Sequence, residues 1–172
     1  FSPIRISLFF SYLSRMNKRL CLLALSFCFT TAFAVNLDSL WGVWNDTNQT
    51  DTKRFSAIHD LALDGYMFSS PDSAFYYANM QYRLAENLGN KESMASALSL
   101  QGISFAIRGN YEQALFYLEK GLKINEELAD SMEIARFLGN IGLIYFNQGS
   151  MELTLFYYQK ALNIFEELEH KR

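Results

Sequence analysis

The sequence has little with which to build a covalently or metal-stabilised fold. Its two cysteines, Cys21 and Cys28, both precede residue 35, so the remainder can hold no disulfide, thiolate nucleophile or cysteine-ligated metal. Two prolines and nine glycines in 172 residues exclude collagen-like and proline-rich architectures. Charge is also scarce, at 19% of residues, with 15 Lys+Arg against 18 Asp+Glu and a net charge of -3. No basic stripe exists to neutralise phosphates, which argues against nucleic acid as a partner. What the chain has in quantity is apolar surface: 50% hydrophobic and 16% aromatic residues. That excludes a disordered tail and suffices for one modest domain or a short repeat array.

Charge is unevenly spread. Residues 1–34 carry Arg5, Arg15, Lys18 and Arg19 and no acidic residue, which leaves eleven basic against 18 acidic residues in 35–172, a net -7. Met16-Asn17-Lys18-Arg19 forms a positive flank, Leu20 to Phe29 an apolar core, and Ala32-Phe33-Ala34 a small-x-small cleavage pattern. Residues 16–34 thus read as a cleavable secretory signal cut after Ala34. Thr30, Thr31 and Asn36 break the uncharged run below the roughly 20 apolar residues of a membrane span. Residues 1–15 read as translated sequence upstream of a start at Met16. Export to a periplasm follows, with the mature domain held by packing alone.

The region beyond residue 52 repeats itself. Aligning 97–128 on 137–168 gives 13 identities in 32 positions, among them Gly102/Gly142, Gly109/Gly149, Tyr117/Tyr157 and Glu126-Glu127/Glu166-Glu167. A third unit at 57–88 shares Ala57, Ala74, Tyr77, Glu86 and Leu88 in the same 40-residue register. Within a unit, Leu98, Gly102, Phe105 and Gly109 form a helical stripe, Gly109-Asn110 supplies a left-handed stop and an N-cap, and Ala114, Tyr117, Leu118, Gly121 and Leu122 begin a second stripe. Ser70-Pro71 takes that punctuating role in the first unit, with Ser70 as N-cap and Pro71 at the first helical position. Gly102 and Gly142 predict close helix approach. Six helices are expected, at about 53–68, 71–88, 91–108, 111–129, 131–148 and 151–169. Residues 35–52 read as a polar lead that folds a turn against the first helix, its tryptophans covering core. Stacked helical hairpins bury what a lone hairpin exposes, so the fold class is an all-α solenoid of three hairpins.

Leu138, Gly142, Tyr145, Gly149 and Tyr157-Tyr158-Gln159-Lys160-Ala161-Leu162 resemble the tetratricopeptide repeat (TPR), as do Leu98, Gly102, Phe105, Gly109, Tyr111, Ala114 and Tyr117. The resemblance covers 57–168 and implies a right-handed superhelix. Departures are the 40-residue period in place of 34, Thr154 and Gly121 at small-alanine positions, and Gly65 where an aromatic is expected. The signal, the Leu-Asp-Ser-Leu-Trp lead and Lys-Ile-Asn-Glu-Glu-Leu (123–128) are similar to the extracytoplasmic N-terminal TPR region of bacterial adenylate/guanylate cyclases and sensor histidine kinases. That architecture implies that the array (53–172) continues beyond residue 172, towards a membrane segment and a catalytic domain.

Catalytic chemistry is not expected in this chain, nor a cofactor or metal. His59 reads as an ordinary helix residue, no Gly-x-Ser-x-Gly elbow is present, and Glu126-Glu127 and Glu166-Glu167 read as solvated helix ends. The aromatic stripe Phe116, Tyr117, Phe156, Tyr157 and Tyr158 reads as core. By the family resemblance, the concave side is lined in the second unit by Ser96, Ser99, Ile103, Ala106 and Ile107. In the third it is lined by Arg136, Gly139, Leu143, Phe146 and Asn147, with Asn140 beside them. The basic clamp some relatives use for carboxylates is not assembled. A mildly apolar groove remains, suited to a protein or peptide partner, as in a receptor's sensory region or in a freestanding periplasmic adaptor. Any membrane association runs through the signal or a segment beyond residue 172.

Overall fold

The computed structural model describes residues 36–170, and the proposed signal, its cleavage point and the upstream extension lie outside them. Seven α-helices and no strand occur among the described residues: α1 (Leu37–Asn45), α2 (Asp51–Asp60), α3 (Pro71–Leu88), α4 (Lys91–Ile107), α5 (Tyr111–Leu128), α6 (Ser131–Asn147) and α7 (Met151–His170). A π-helical segment, Leu61–Tyr66, prolongs α2. Helices α2–α3, α4–α5 and α6–α7 form the three hairpins, and each packs on the next.

The caps set the period. Thr50, Asn90 and Asp130, spaced by 40 residues, each accept a hydrogen bond from the backbone N–H three residues on, at Lys53, Ser93 and Glu133. Asn110 caps α5 in the same way through Gln113 N. At the other ends Gly89, Gly109 and Gly149 take left-handed φ of 66°, 75° and 77°. Ala129 occupies the place of Gly89 one unit later and adopts φ 54° without a glycine's freedom.

The first hairpin departs from expectation in three ways. Its first helix begins at Asp51 rather than 53 and passes through the π segment rather than running straight to 68. Ser69 stands where the other units have Gly109 and Gly149. Without a left-handed glycine there, the helix closes through the wider π turn. Ser70 precedes Pro71 as expected but makes no side-chain cap bond; its Oγ lies 2.8 Å from Ser73 Oγ. The lead forms a nine-residue helix, not a single turn. Trp44 is buried against Ile58 and Leu61, while Trp41 is 40% exposed and meets Tyr77 edge-on at 5.8 Å.

Gly65 accounts for that extra helix. In the later units the equivalent aromatic stacks on a tyrosine: Phe105 on Tyr117 at 5.4 Å and Tyr145 on Tyr157 at 5.3 Å. With glycine at 65, Tyr77 turns to Tyr66 and Trp41 instead. Leu37 of α1 fills the vacated space, its Cδ2 only 2.6 Å from where a Cβ on residue 65 would stand.

Close approach is also the reason for glycine at 102, 121 and 142. A Cβ there would meet Leu118 Cγ at 2.8 Å, Phe137 Cε1 at 2.3 Å and Tyr158 Cδ1 at 2.8 Å respectively. The core between the second and third hairpins is built from Ala114, Leu118, Phe137, Ile141 and Ile144. Of the aromatic stripe, Tyr117 and Tyr157 pack inward, and Tyr158 lays its ring against Gly142 while staying 40% exposed. Phe116 and Phe156 face outward, which corrects the all-core reading for those two. Lys120 and Lys160, one turn on, set their ammonium groups over the Phe116 and Phe156 rings at 5.4 and 4.5 Å. The glutamate pairs at 126–127 and 166–167 are exposed at helix ends, Glu127 bridged to Lys91 at 2.9 Å.

Candidate functional site

The first helices of the three hairpins present one continuous side, and two cavities of different character lie along it. The first, about 370 Å³, is polar. His59 of α2, Glu92, Ser96 and Ser99 of α4, Glu133, Arg136 and Asn140 of α6, and Asn125 and Asp130 from the end of the second hairpin line it. A smaller neighbouring cavity shares His59, Glu92 and Ser96 and adds Gln81 of α3. The second main cavity, about 240 Å³, is apolar, lined by Phe68, Ile103, Ala106, Ile107, Leu118, Leu143 and Ile144 with Asn140 and Asn147. Asn140 belongs to both.

Of the residues assigned to the concave side, Ser96, Ser99 and Arg136 therefore sit in the polar cavity. Ile103, Ala106, Ile107, Leu143 and Asn147 sit in the apolar one, and Asn140 joins the two. Phe146 lines neither cavity and is 52% exposed on α6. Arg136 is no free anion receptor, because its guanidinium is paired to Glu133 Oε1 at 3.0 Å.

Sequence reasoning missed the other half of the polar cavity. His59 Nδ1 lies 3.1 Å from Ser96 Oγ, and Gln81 Nε2 donates to Ser93 O and Ser96 Oγ, each at 3.3 Å. Burial pushes the His59 pKa below its ordinary value, with Asp60 and Asp64 acting weakly the other way. A serine beside a histidine invites comparison with a nucleophile and its base. Here Ser96 stands within α4, where the surrounding N–H groups are spent on the helix ladder. A backbone spent on that ladder supplies no oxyanion donors from its own turn. Only stacking of α2 against α4 brings these residues together, and no local motif marks them.

Residues 32–169 match the family described as SusR N-terminal TPR domain. The chain belongs to that family. No curated protein sequence matches it significantly. Among solved structures, the TPR domain of Arabidopsis FLU is similar in fold, with a TM-score of 0.61 at 19% identity, covering 69% of this chain and 99% of that one. The all-helical solenoid is thus a TPR array, a class of non-catalytic domain that binds proteins or peptides.

Proposed function

We propose that this TPR domain is the periplasmic sensory and scaffolding region of a membrane signalling receptor of nucleotidyl cyclase or histidine kinase type, and that it binds a peptide or protein partner in its concave groove. The observation that carries the groove reading is the apolar cavity between α4 and α6, where Leu143 is 47% exposed and Ile107 41% exposed. Amide side chains at Asn140 and Asn147 border it and offer hydrogen bonds to a bound backbone. The signal pattern at 16–34 supports export, and the family's description as an N-terminal domain supports a position ahead of other domains. Partner binding would alter superhelical curvature, and the bias would pass along nearest-neighbour contacts between units.

Two experiments test this. Reading the gene past Arg172 should reveal a membrane span followed by a cyclase or kinase domain; a stop after one amphipathic helix would instead favour a freestanding periplasmic adaptor. Replacing Asn140 and Leu143 together with alanine should abolish partner binding while circular dichroism shows helix content unchanged. Partner binding that survives this pair removes the groove assignment.

A further inference from the structure

We propose that the polar cavity is a receptor for one cationic side chain, lysine or arginine, of the partner peptide. Three carboxylates converge there, Glu92, Asp130 and Glu133, against a single guanidinium, Arg136, which Glu133 already neutralises. His59 is held neutral near pH 7 by burial and adds no opposing charge. Among the described residues no cation pairs with Glu92 or with Asp130, whose Oδ1 also accepts the Glu133 N–H as the α6 cap.

A buried amide in the wall of the cavity adds an independent indication. Asn125 is 3% exposed, and its Nδ2 donates to Gly121 O at 3.1 Å. A carbonyl can only accept, so the nitrogen is fixed on that side and Oδ1 remains for the cavity. Gln81, 2% exposed, is fixed in the same manner by Ser93 O, and its Oε1 is buried with no hydrogen-bond partner. Asn125 lines the polar cavity itself, whereas Gln81 lines only the smaller neighbour and its Oε1 is shielded from solvent, so the acceptor offered to a ligand is Asn125 Oδ1. Such a lining repels an anion and leaves a neutral ligand facing uncompensated carboxylates. A guanidinium with five donors, or an ammonium with three, fits it. The inference rests on the groove reading, since the peptide backbone is to lie over the neighbouring apolar cavity.

The test is an NMR titration of the full chain with N-acetyl-arginine methylamide at low salt, and with the citrulline analogue, which has the same shape without the charge. Saturable shifts are expected at the Asn125 side-chain amide and at the Ser96 and Ser99 backbone. The arginine compound should bind about tenfold more tightly than citrulline, the difference between a charge-assisted and a neutral hydrogen bond. Glu92→Gln, an exposed change that leaves the fold intact, should weaken arginine binding about fivefold, as should raising the salt to 0.5 M. Asn125→Leu should do the same if the helix content shows it folded. Equal response to arginine and citrulline, shifts confined to another face, or no saturation would each overturn the site. Should partner binding be lost in the Asn140/Leu143 pair yet unaffected by Glu92→Gln, the cation site falls and the groove reading stands.

Discussion

His59 Nδ1 and Ser96 Oγ stand 3.1 Å apart across the junction of the first two hairpins, although 37 residues separate them in the chain. The ring is partly buried, and desolvation holds its pKa below the ordinary histidine value of 6.5. The unfolded chain therefore takes up the proton first. This contribution to stability is fully present above pH 6.5 and is lost as the pH falls from there through the folded-state pKa. Urea midpoints measured between pH 7.5 and 5 should decline more steeply for the native protein than for His59→Gln. An NMR titration of the His59 ring should give a midpoint under 6.5, and a midpoint above it would contradict the burial argument.

Gly121 and Gly139 provide opposite outcomes from one substitution. Both lie inside helices, where alanine is favoured over glycine by about 1 kcal/mol. A Cβ at 139 meets nothing within 4 Å, so Gly139→Ala should stabilise by roughly that amount. At 121 the Cβ would lie 2.3 Å from Phe137 Cε1 and 3.3 Å from Leu98 Cβ, and overpacking of this kind costs about 1–3 kcal/mol. Gly121→Ala should therefore lower the unfolding midpoint, and pairing it with Phe137→Leu should recover part of the loss. Denaturant titrations of the four proteins decide the matter.

Ala129 should be improvable. Its φ of 54° costs a non-glycine residue about 1–2 kcal/mol, part of which glycine returns through its looser unfolded state. Ala129→Gly, which restores the residue found at 89, should raise stability by about 1 kcal/mol. A lowered thermal midpoint would show that the cap is not strained.

Gly65→Phe tests what holds α1. An aromatic at 65 would occupy the space of Leu37 Cδ2 and displace the helix. Hydrogen exchange should then accelerate in 37–45 while amides of α5 to α7 keep their protection, because each unit contacts only its neighbours. Equal loss of protection along the whole array would contradict that locality.

The helices from Pro71 onward were legible because their ends carry chemistry that recurs: Asn90, Asn110 and Asp130 as caps, and Gly89, Gly109 and Gly149 in left-handed turns. The first unit was harder to read. Ser69 replaces its stop glycine, and Gly65 hands the place of an aromatic to Leu37, a residue 28 positions earlier with no pattern to announce it. The groove was half legible for a related reason. Its first-helix residues follow the helical period, whereas Gln81 and Asn125 come from second helices, as polar residues on faces that periodicity assigns to core. Phe116 and Phe156 misled in the opposite direction, since an exposed ring under a lysine has the same sequence signature as a buried one.

The units look alike but are not interchangeable. Gln81 holds in α3 the place that Gly121 holds in α5 and Ala161 in α7, and Ala97 holds in α4 the place of Phe137 in α6. Copying the second unit in tandem would set Gly121 opposite a methyl group and leave a void; copying the third would press the methyl of Ala161 towards a phenyl ring. Each junction thus carries its own lock, and a gene in which the repeats were shuffled or duplicated by recombination would encode the same helices without the same stack.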